Sequence, residues 1–514
     1  MISTLDEAVE GREPFPEIVS VMAEFKPASV LGLDIGTSGV RACLFDDRGR
    51  DIKGASVRFE LRGTGVEDLA VTDPKASFEL VAQTIDELLA STIQTTSIEL
   101  ITISCFWHSL VGVDAEGLAI TPVFTWADTR AARAARELRD RFDQTAVHAR
   151  TGCRLHQSYW PAKLVWLRNE QPETFRSVSR WLSFGEYVVL RLFGETAASI
   201  SMASGTGLFN HRSRAWDREI TEALGVSLQS LPEIAGRNKT LRGMTDDYAL
   251  RWPQLSEARL FPAIGDGAAN SIGSGCATRE KLALMIGTSG AMRVVYQGES
   301  PAELPPELWC YRVDQSRVIV GGALSDGGGL HAWLREMLLA GDDLESIEIA
   351  LAGIEPDAHG LTVLPFWAGE RSTGWSTQAR GAILGLSLHT RPVEILRAAM
   401  EAVAYRFALI TRALEPFAPD ASVIASGTAL RSSAVWTQMI ADVLGRPVML
   451  SGLSEASTRG AALLALEAVG KIQNIEELPV RVETTFEPNM VRHARYQEGL
   501  ERQQCIYEQV MKEN

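Results

Sequence analysis

An internal repeat constrains this chain more than any other feature of its sequence. The segment LGLDIGTSGVR at 31–41 returns as LALMIGTSGAMR at 282–293, and the five residues IGTSG are identical in the two copies. In each copy an apolar run leads into a Gly-Thr-Ser-Gly turn, and a second apolar run follows. Runs of this length, rich in Val, Ile and Leu, are typical of β-strands. The repeat therefore predicts two strand–turn–strand units and a duplicated domain.

The composition of the two turns indicates an anionic ligand. Glycines let the backbone approach a ligand closely, and hydroxyls and backbone amides are donors for anionic oxygens. One such turn is more often an ordinary hairpin, but two identical copies favour two turns that face one shared phosphate-bearing ligand. The copies differ where Asp34 in the first is replaced by Met285 in the second. This difference predicts a polar task for Asp34, such as positioning a hydrated Mg²⁺.

Strands that alternate with helices follow each hairpin. In the first half, 73–94 has the apolar spacing of a helix, and 99–106 has the pattern of a buried strand. In the second half, 392–414 predicts a long helix, 422–430 a strand that runs into a glycine turn, and 432–445 another helix. This order predicts a mixed α/β fold whose sheets are covered by helices.

The length, charge and cysteines of the chain limit its fold and partners. At 514 residues it is too long for one ordinary core, so two domains of roughly 200–250 residues are expected. The formal net charge of −15 argues against a nucleic-acid or anionic-membrane partner. Six scattered cysteines without a C-x-x-C pair indicate buried thiols in a reducing compartment. The first 28 residues lack the apolar core of a secretory signal, and no membrane-length apolar run occurs, so we expect a cytoplasmic protein.

Longer motifs are similar to those of a known family. GAILGLSLHTRPVEILRAAME at 381–401 matches one signature of the FGGY carbohydrate kinases throughout, and KLVWLRNE at 163–170 matches the core of another. The second signature departs at Trp160, where the family usually has Pro, Ser or Thr. The resemblance covers the chain from about residue 29 onward. It implies two duplicated actin-like (ribonuclease H-like) ATPase domains with a cleft between them, and phosphoryl transfer from ATP to a sugar.

The resemblance also implies a domain organisation and a set of partners. We expect an N-terminal arm at 1–28, a sugar-binding domain at 29–260, a nucleotide-binding domain at 261–495 and a C-terminal helix at 496–514. The expected partners are ATP with Mg²⁺ and a small sugar or sugar acid. A homodimer is one assembly that we consider.

The catalytic and phosphate-binding residues follow from the same resemblance. GDGAANSIG at 265–273 is similar to the segment that supplies the catalytic Asp in the family. This match makes Asp266 the general base and, together with Asp34, a residue of the metal site. On its residues alone, an Asp between two glycines is more often a turn former. Ser426 stands where the family often has a second Gly, and Arg41 has an alternative interpretation as an ordinary surface residue. The residues expected around the phosphates are Gly36, Thr37, Ser38, Arg41, Gly287, Thr288, Gly427 and Thr428.

Another group of residues concerns the sugar. FWHS at 106–109 is closer to the Met-His-Gly of xylulose kinases than to the Arg-Glu pair of polyol-specific members. This match places Trp107 and His108 at the sugar, where His108 would hydrogen-bond a hydroxyl or a carboxylate, unless it is a structural histidine. Trp126 and Asp128 resemble the aromatic wall and acidic residue of the family.

Several stretches are similar to gluconate kinases in particular. Gluconate is an anion, and a carboxylate requires Arg, His or amides close by. Asp326, next to Ser325, departs from the gluconate kinase pattern and would repel an anionic sugar acid. Arg130 could instead belong to the basic face of a helix that starts near Asp128. The similar stretches are 125–130, 151–156, 183–195, 201–217 and 364–375, and the residues available for a carboxylate are His108, Arg130, His156 and Arg371.

The leading interpretation is therefore a kinase that converts D-gluconate to 6-phosphogluconate. The alternatives are a kinase for xylulose or another pentulose or polyol, a non-catalytic sugar sensor, and an actin-like filament protein. The remaining histidines show no metal-ligand spacing and are expected to be structural: His148, His211, His331, His359, His389 and His493.

Overall fold

The computed structural model describes residues 30–60, 70–91, 98–236 and 238–512, so the expected arm at 1–28 lies outside the described residues. The strands are β1 (Val30–Gly36), β2 (Gly39–Phe45), β3 (Asp51–Glu60), β4 (Val71–Thr72), β5 (Leu100–Cys105), β6 (Val111–Val113), β7 (Val123–Phe124), β8 (Arg180–Leu182), β9 (Ala198–Ser199), β10 (Phe209–Asn210), β11 (Ala215–Trp216), β12 (Ile234–Ala235), β13 (Arg259–Leu260), β14 (Ile264–Gly265), β15 (Lys281–Ile286), β16 (Gly290–Gln297), β17 (Trp309–Arg312), β18 (Arg317–Leu324), β19 (Thr362–Leu364), β20 (Ala382–Leu384), β21 (Ser422–Ser426), β22 (Val448–Ser451) and β23 (Val482–Phe486).

The α-helices among these residues are α1 (Pro74–Ser91), α2 (Ala132–Arg141), α3 (Gln144–Thr151), α4 (Trp160–Glu170), α5 (Pro172–Ser177), α6 (Phe184–Phe193), α7 (Ile200–Ser204), α8 (Arg218–Leu224), α9 (Asp246–Arg251), α10 (Asp266–Gly273), α11 (Gly328–Leu338), α12 (Leu344–Ala352), α13 (Pro392–Leu414), α14 (Thr428–Ser432), α15 (Ala434–Leu444), α16 (Ala456–Ala468) and α17 (Met490–Lys512). None of the described helices combines the length and the hydropathy that crossing a bilayer requires.

Two large sheets repeat one arrangement, as the internal repeat predicted. The first has the order β13-β5-β1-β2-β3, and the second has the order β17-β18-β16-β15-β21-β22-β23. In the first, β1 and β2 form an antiparallel hairpin and β5 lies parallel to β1. In the second, β15 and β16 form the hairpin and β21 lies parallel to β15. Each sheet has its own apolar core, so the predicted duplicated α/β fold is confirmed.

The predicted elements agree with the observed ones in type, with shifts at some ends. The helix predicted at 392–414 is α13 without change, and the one at 432–445 is α15. The strand predicted at 422–430 is shorter, because β21 ends at Ser426 and the short helix α14 follows. The C-terminal helix begins at Met490 and not at 496, because the Asn489 side chain accepts hydrogen bonds from the amides of Val491 and Arg492 and so caps the helix.

Two helices cross at the base of the cleft between the sheets. Helix α16 comes from the second half of the chain, yet it packs its apolar face on the first sheet. A Cβ atom on Gly460 of α16 would lie 1.8 Å from the carbonyl oxygen of Ala269 in α10, and a Cβ atom on Gly273 would lie 1.7 Å from the carbonyl oxygen of Ala456. Only glycine allows this approach, so the helices meet backbone to backbone.

Strand β17 connects the second sheet to the first half of the chain. The Cys310 amide donates to the Gly152 carbonyl at 3.0 Å. The His148 Nε2–H donates to the Leu308 carbonyl at 2.8 Å. This end of the cleft is therefore joined by direct hydrogen bonds. All six cysteines are free thiols, five of them buried.

Burial of His148 predicts an acid-sensitive contribution to stability. Burial lowers the pKa of His148 to about 4, whereas the unfolded chain titrates near 6.5. Between these values the unfolded state binds more protons, so this contribution to the free energy of unfolding falls as the pH falls from 6.5 towards 4. At pH 5 the loss relative to pH 7 is roughly 2 kcal/mol.

The variant His148→Gln keeps a donor for Leu308 but does not titrate. Urea unfolding at pH 7 and pH 5 should show a smaller pH dependence in the variant than in the wild type. Comparing the two proteins cancels the opposite contribution of the buried carboxyls, whose raised pKa values favour the folded state at low pH. Identical pH dependence in both proteins would show that His148 does not contribute.

Candidate active site

A cavity lies in the cleft and opens to solvent. Five of the residues predicted from the sequence line it, namely Trp107, His108, Trp126, Asp266 and Arg371. The chain up to the end of α10 also contributes Ser158 and Tyr159, and the chain from β15 onward also contributes Met285, Ser289, Gly290, Ala291, Arg293, Trp309, Tyr311, Ala323 and Trp375.

Asp266 is the first residue of α10 and directly follows β14. Gly265 pairs with Cys105 at the end of β5, and a Cβ atom on Gly265 would lie 1.9 Å from the Trp107 ring. Because residue 265 is a glycine, the Trp107 indole can pack against the backbone directly before Asp266. One carboxylate oxygen accepts from the Gly267 amide at 2.7 Å. Burial raises the pKa of Asp266, and the Arg293 guanidinium opposes that rise.

Asp34 lies near the end of β1, with Ser104 beside it on β5 and Arg41 opposite it on β2. The Ser104 hydroxyl donates to Asp34 at 2.8 Å, and an Arg41 nitrogen lies 3.7 Å from the other carboxylate oxygen. Burial raises the pKa of Asp34 to about 6; Arg41 lowers it, and the negative charge of Asp266 is a further cause of the rise. Two carboxylates that disfavour each other's charge fit a hydrated divalent cation, which would favour both.

The second and third glycine turns lie side by side. In the first turn Ser38 is exposed, and in the second Thr288 is exposed. Gly427 has a φ of +100°, and a Cβ atom there would lie 2.3 Å from the Ile286 carbonyl. The third turn therefore lies directly against the end of β15, beside the second turn. Two of the three turns that the sequence predicted at the phosphates are therefore neighbours, and phosphate binding by these turns stays a prediction.

Three consecutive glycines that the sequence analysis did not assign join this group. The Gly328 amide donates to the Gly287 carbonyl at 2.8 Å, and the Gly329 amide donates to the Thr288 carbonyl at 2.9 Å. A Cβ atom on Gly327 would lie 2.7 Å from the Ser289 carbonyl. The run 327–329 thus supports the second turn from behind. The run of three glycines was the signal in the sequence from which this support of the second turn could have been predicted.

Aromatic rings form the wall of the cavity. The Trp107 indole donates to the Ser201 carbonyl at 3.0 Å, which fixes the ring. The hydroxyls of Tyr159 and Tyr311 lie 2.6 Å apart across the two halves of the chain. The rings of Trp309 and Tyr311 stack with centroids 4.2 Å apart. A rigid wall of this kind suits the apolar faces of a sugar, with polar groups at its edges.

His108 presents a neutral imidazole to the cavity. It has a φ of +68°, in the left-handed region, and its Nδ1–H donates to the Gly205 carbonyl at 2.6 Å. The buried Lys163 Nζ donates to the His108 carbonyl at 2.7 Å, which supports this conformation. Burial lowers the pKa of His108 to about 3. With its proton on Nδ1, the ring offers Nε2 as an acceptor, which suits a sugar hydroxyl and not a carboxylate.

Two arginines line the cavity. Arg371 lies over the Trp126 ring, with the guanidinium carbon 4.5 Å from the ring centroid, and donates to the Leu324 carbonyl at 2.6 Å. Arg293 projects from β16 and is 6% exposed. Buried nitrogens of both guanidinium groups have no hydrogen-bond partner among the described residues. The cavity therefore offers donors to an anionic group.

Comparison with known proteins places this site in a family. Residues 29–273 match the N-terminal domain of the FGGY family of carbohydrate kinases, and residues 282–469 match its C-terminal domain. The chain belongs to the FGGY family of carbohydrate kinases. Membership of this family makes the protein an ATP-dependent sugar kinase, which confirms the resemblance and the two-domain actin-like fold.

Relatives of this kinase differ in their sugars. It is 26% identical over 471 residues to the gluconokinase of Bacillus subtilis. The matched region covers 89% of this chain and 91% of the relative. It is also 26% identical to a xylulose kinase of Staphylococcus epidermidis, with 93% and 96% covered. Among solved structures, the gluconate kinase from Lactobacillus acidophilus has a TM-score of 0.84 at 27% identity, with 94% and 98% covered. A ligand-bound xylulose kinase from that organism has the same TM-score and coverage at 26% identity.

Asp128 and Arg130 lie behind the cavity wall of the kinase and do not line it. The Arg130 guanidinium binds both oxygens of Asp128, at 2.9 and 2.7 Å, and stacks 4.7 Å from the Trp166 ring centroid. Helix α2 begins at Ala132, so Arg130 lies on no helical face. In this arrangement Asp128 pairs with Arg130, and its contact with the sugar stays a prediction.

Two further residues considered for the sugar also lie outside the lining. His156 is buried, with its ring 5.5 Å from that of Trp375, and burial lowers its pKa well below the usual value. The Asp326 carboxylate accepts from the Ala368 amide at 3.0 Å, and burial raises its pKa to about 7. Asp326 therefore carries less than a full negative charge at neutral pH, and its expected repulsion of a sugar acid is reduced.

The departures in the family motifs have structural explanations. The Trp160 indole is buried at the start of α4 and donates to the Ser109 carbonyl at 2.8 Å. Ser426 is buried next to the third turn.

Spatial proximity groups His359 with Asp357 and Glu401, but the carboxylates already pair with arginines. That cluster is an ion-pair network, as expected for a structural histidine.

Proposed function

We propose that this kinase transfers the γ-phosphoryl group of ATP to D-gluconate and produces 6-phosphogluconate and ADP. The charge of the cavity lining carries the proposal. Arg293 and Arg371 are positive, His108 is neutral, and Asp266 supplies at most one negative charge. The lining is thus net positive within a chain of formal charge −15. A local excess of guanidinium groups favours an anionic sugar acid over a neutral sugar.

Sequence identity alone does not choose between the two sugars, because gluconokinases and xylulose kinases match at 26%. The two cavity arginines, Arg293 and Arg371, do discriminate between a charged and a neutral sugar. A neutral pentulose would leave both guanidinium groups without an anionic partner in a largely buried site, which is unfavourable. A carboxylate removes that penalty. Gluconate also supplies hydroxyls for the Nε2 acceptor of His108.

Asp266 is proposed as the general base. Its carboxylate would accept the proton of the attacking C6 hydroxyl as the bond between that oxygen and the γ-phosphorus forms. The bond from the γ-phosphorus to the oxygen bridging it to the β-phosphorus breaks at the same time, and ADP leaves. Partial burial of the carboxylate strengthens its affinity for the proton. The aromatic wall excludes water, which would otherwise compete with the sugar.

The turns and Asp34 are proposed to hold the nucleotide. The backbone amides and the Thr and Ser hydroxyls of the turns would bind the phosphate oxygens, and Arg41 would lie beside them. Mg²⁺, held through Asp34 and close to Asp266, would neutralise phosphate charge when bound. The proposed residues are Gly36, Thr37, Ser38, Gly287, Thr288, Gly427 and Thr428. Both parts of the expected division at 260/261 would then contribute to both ligands, because Asp34 and the first turn lie before it and Arg293 and Arg371 lie after it.

A substrate panel tests the proposal. ADP release from Mg-ATP should be measured with D-gluconate, D-xylulose, L-ribulose, glycerol and erythritol at equal concentrations. We expect kcat/KM for gluconate to exceed that for every neutral acceptor by at least about tenfold, because one charge-assisted contact is worth that much. A preference for xylulose would reject gluconate and retain the kinase. Failure with all five acceptors would favour a sugar-sensing protein.

A further inference from the structure

Arg293 occupies a slot that two glycines create. Its guanidinium lies against the first turn of α10, where a Cβ atom on Gly267 would lie 2.8 Å from the Arg293 Nε. Its aliphatic stem passes Gly321 on β18, where a Cβ atom would lie 3.0 Å from the Arg293 Cγ. Any larger residue at either position would displace the arginine. The local structure therefore accommodates a guanidinium group at this place in the cleft.

The guanidinium is buried without a partner of its own. Arg293 is 6% exposed, and its Nε and Nη1 have no hydrogen-bond partner within the described parts of the chain. Among the described residues, the Asp266 carboxylate is the negative charge that acts on it, but it forms no hydrogen bond with the Nε or Nη1 of Arg293. A buried cation that lacks a partner is unfavourable by itself. This arrangement is explained if a ligand oxygen completes it.

The position of Arg293 along β16 separates it from the phosphate turn. It lies three residues after Gly290, so the strand places it about 10 Å from the turn. The intervening residue Ala291 lines the same cavity because side chains alternate along a strand. Arg293 therefore lies in the acceptor cavity beside the start of α10 and not at the glycine turn itself.

We infer that Arg293 binds the carboxylate of the sugar acid and selects it over a neutral sugar of the same shape. The inference rests on the proposed function and extends it, because it names the residue that determines specificity. Arg371, on the opposite wall over Trp126, adds positive charge. Of the described residues that line the cavity, only Arg293 combines an enclosed slot, nearly complete burial and two unpaired donors.

A pair of acceptors that differ in one group tests this inference. D-Gluconate and its neutral amide, D-gluconamide, should be compared with the wild type, Arg293→Met and Arg293→Lys. We expect Arg293→Met to raise the KM for gluconate roughly 30- to 100-fold, with less than about a threefold change for the amide. Arg293→Lys should recover part of the loss because it retains the charge.

Calorimetric titration of the same two acceptors, without ATP, separates the inference from the proposed function. If wild type binds gluconate more tightly than the amide and Arg293→Met abolishes that difference, the inference holds even when gluconate is not phosphorylated. Equal losses for both acceptors would place Arg293 with the phosphoryl group or the base, and would overturn it. An unchanged preference for gluconate in Arg293→Met would overturn it as well.

Two controls exclude trivial causes. Arg133→Met removes the same charge at an exposed surface position, where the side chain is 80% exposed, and should leave the ratio of the two KM values unchanged. Thermal melting of Arg293→Met should confirm a folded protein, and its activity on the amide reports an intact site.

Discussion

Asp266→Asn is expected to reduce kcat by about 10²- to 10⁴-fold while gluconate and ATP still bind. The amide retains an oxygen that can accept from the Gly267 amide, so the shape of the site is preserved. It cannot accept the proton of the attacking hydroxyl. Single-turnover ADP formation measures the chemical step, and calorimetric titration of each ligand measures binding.

Asp326→Asn is the matched control for that experiment. Asp326 is also buried and also accepts from a backbone amide, but it does not line the cavity. Its substitution should change kcat by no more than a few fold. Near-normal turnover in Asp266→Asn would remove Asp266 as the base, and an equal loss in both variants would indicate a general electrostatic effect.

Gly460→Val is expected to have the largest effect on stability. The Cβ atom would lie 1.8 Å from the Ala269 carbonyl oxygen, and both are parts of helices that cannot shift independently. Overpacking of this kind costs about 3 kcal/mol or more. We expect a lower urea midpoint and a loss of activity, because separating α10 from α16 also displaces Asp266.

Ser457→Val places the same side chain on the same helix, and Ser and Val differ little in helix propensity. It lies three residues from Gly460 and is half-buried. A urea midpoint close to that of the wild type is expected for it. If Gly460→Val unfolds no more easily than Ser457→Val, the helices do not meet at the glycine.

The local part of the site was predictable from the sequence. The two copies of IGTSG predicted hairpins, and each forms at the end of a buried strand. Asp34 differs from its counterpart Met285 and does lie close to Asp266. These features depend on short segments, where turn chemistry and apolar runs determine the backbone.

The wall of the cavity was not predictable in the same way. Tyr159 and Tyr311 are 152 positions apart and meet only because β17 pairs with the first half of the chain. In the sequence, Arg293 is a single arginine that follows a glycine turn. Its proposed role in binding a carboxylate depends on the face of β16 that it shares with Ala291. It also depends on the glycines at 267 and 321, which lie on other elements.

Asp128 shows what a family pattern leaves out about a single residue. Its place in the motif predicts contact with the sugar, and the structure adds that the neighbouring Arg130 donates to both of its oxygens. The sequence contained both residues two positions apart. It contained no signal that Trp166 would hold Arg130 in place.

The hydrogen bonds between β17 and the first half of the chain determine how the cleft can open. They hold Tyr311 of β17 in the lining of the cavity, whereas Ser38 and Thr288 are exposed. Two bodies joined at one place separate least near the join, so displacement increases with distance from it. We therefore expect the acceptor pocket to be complete before closure and nucleotide binding to bear the conformational cost of closing.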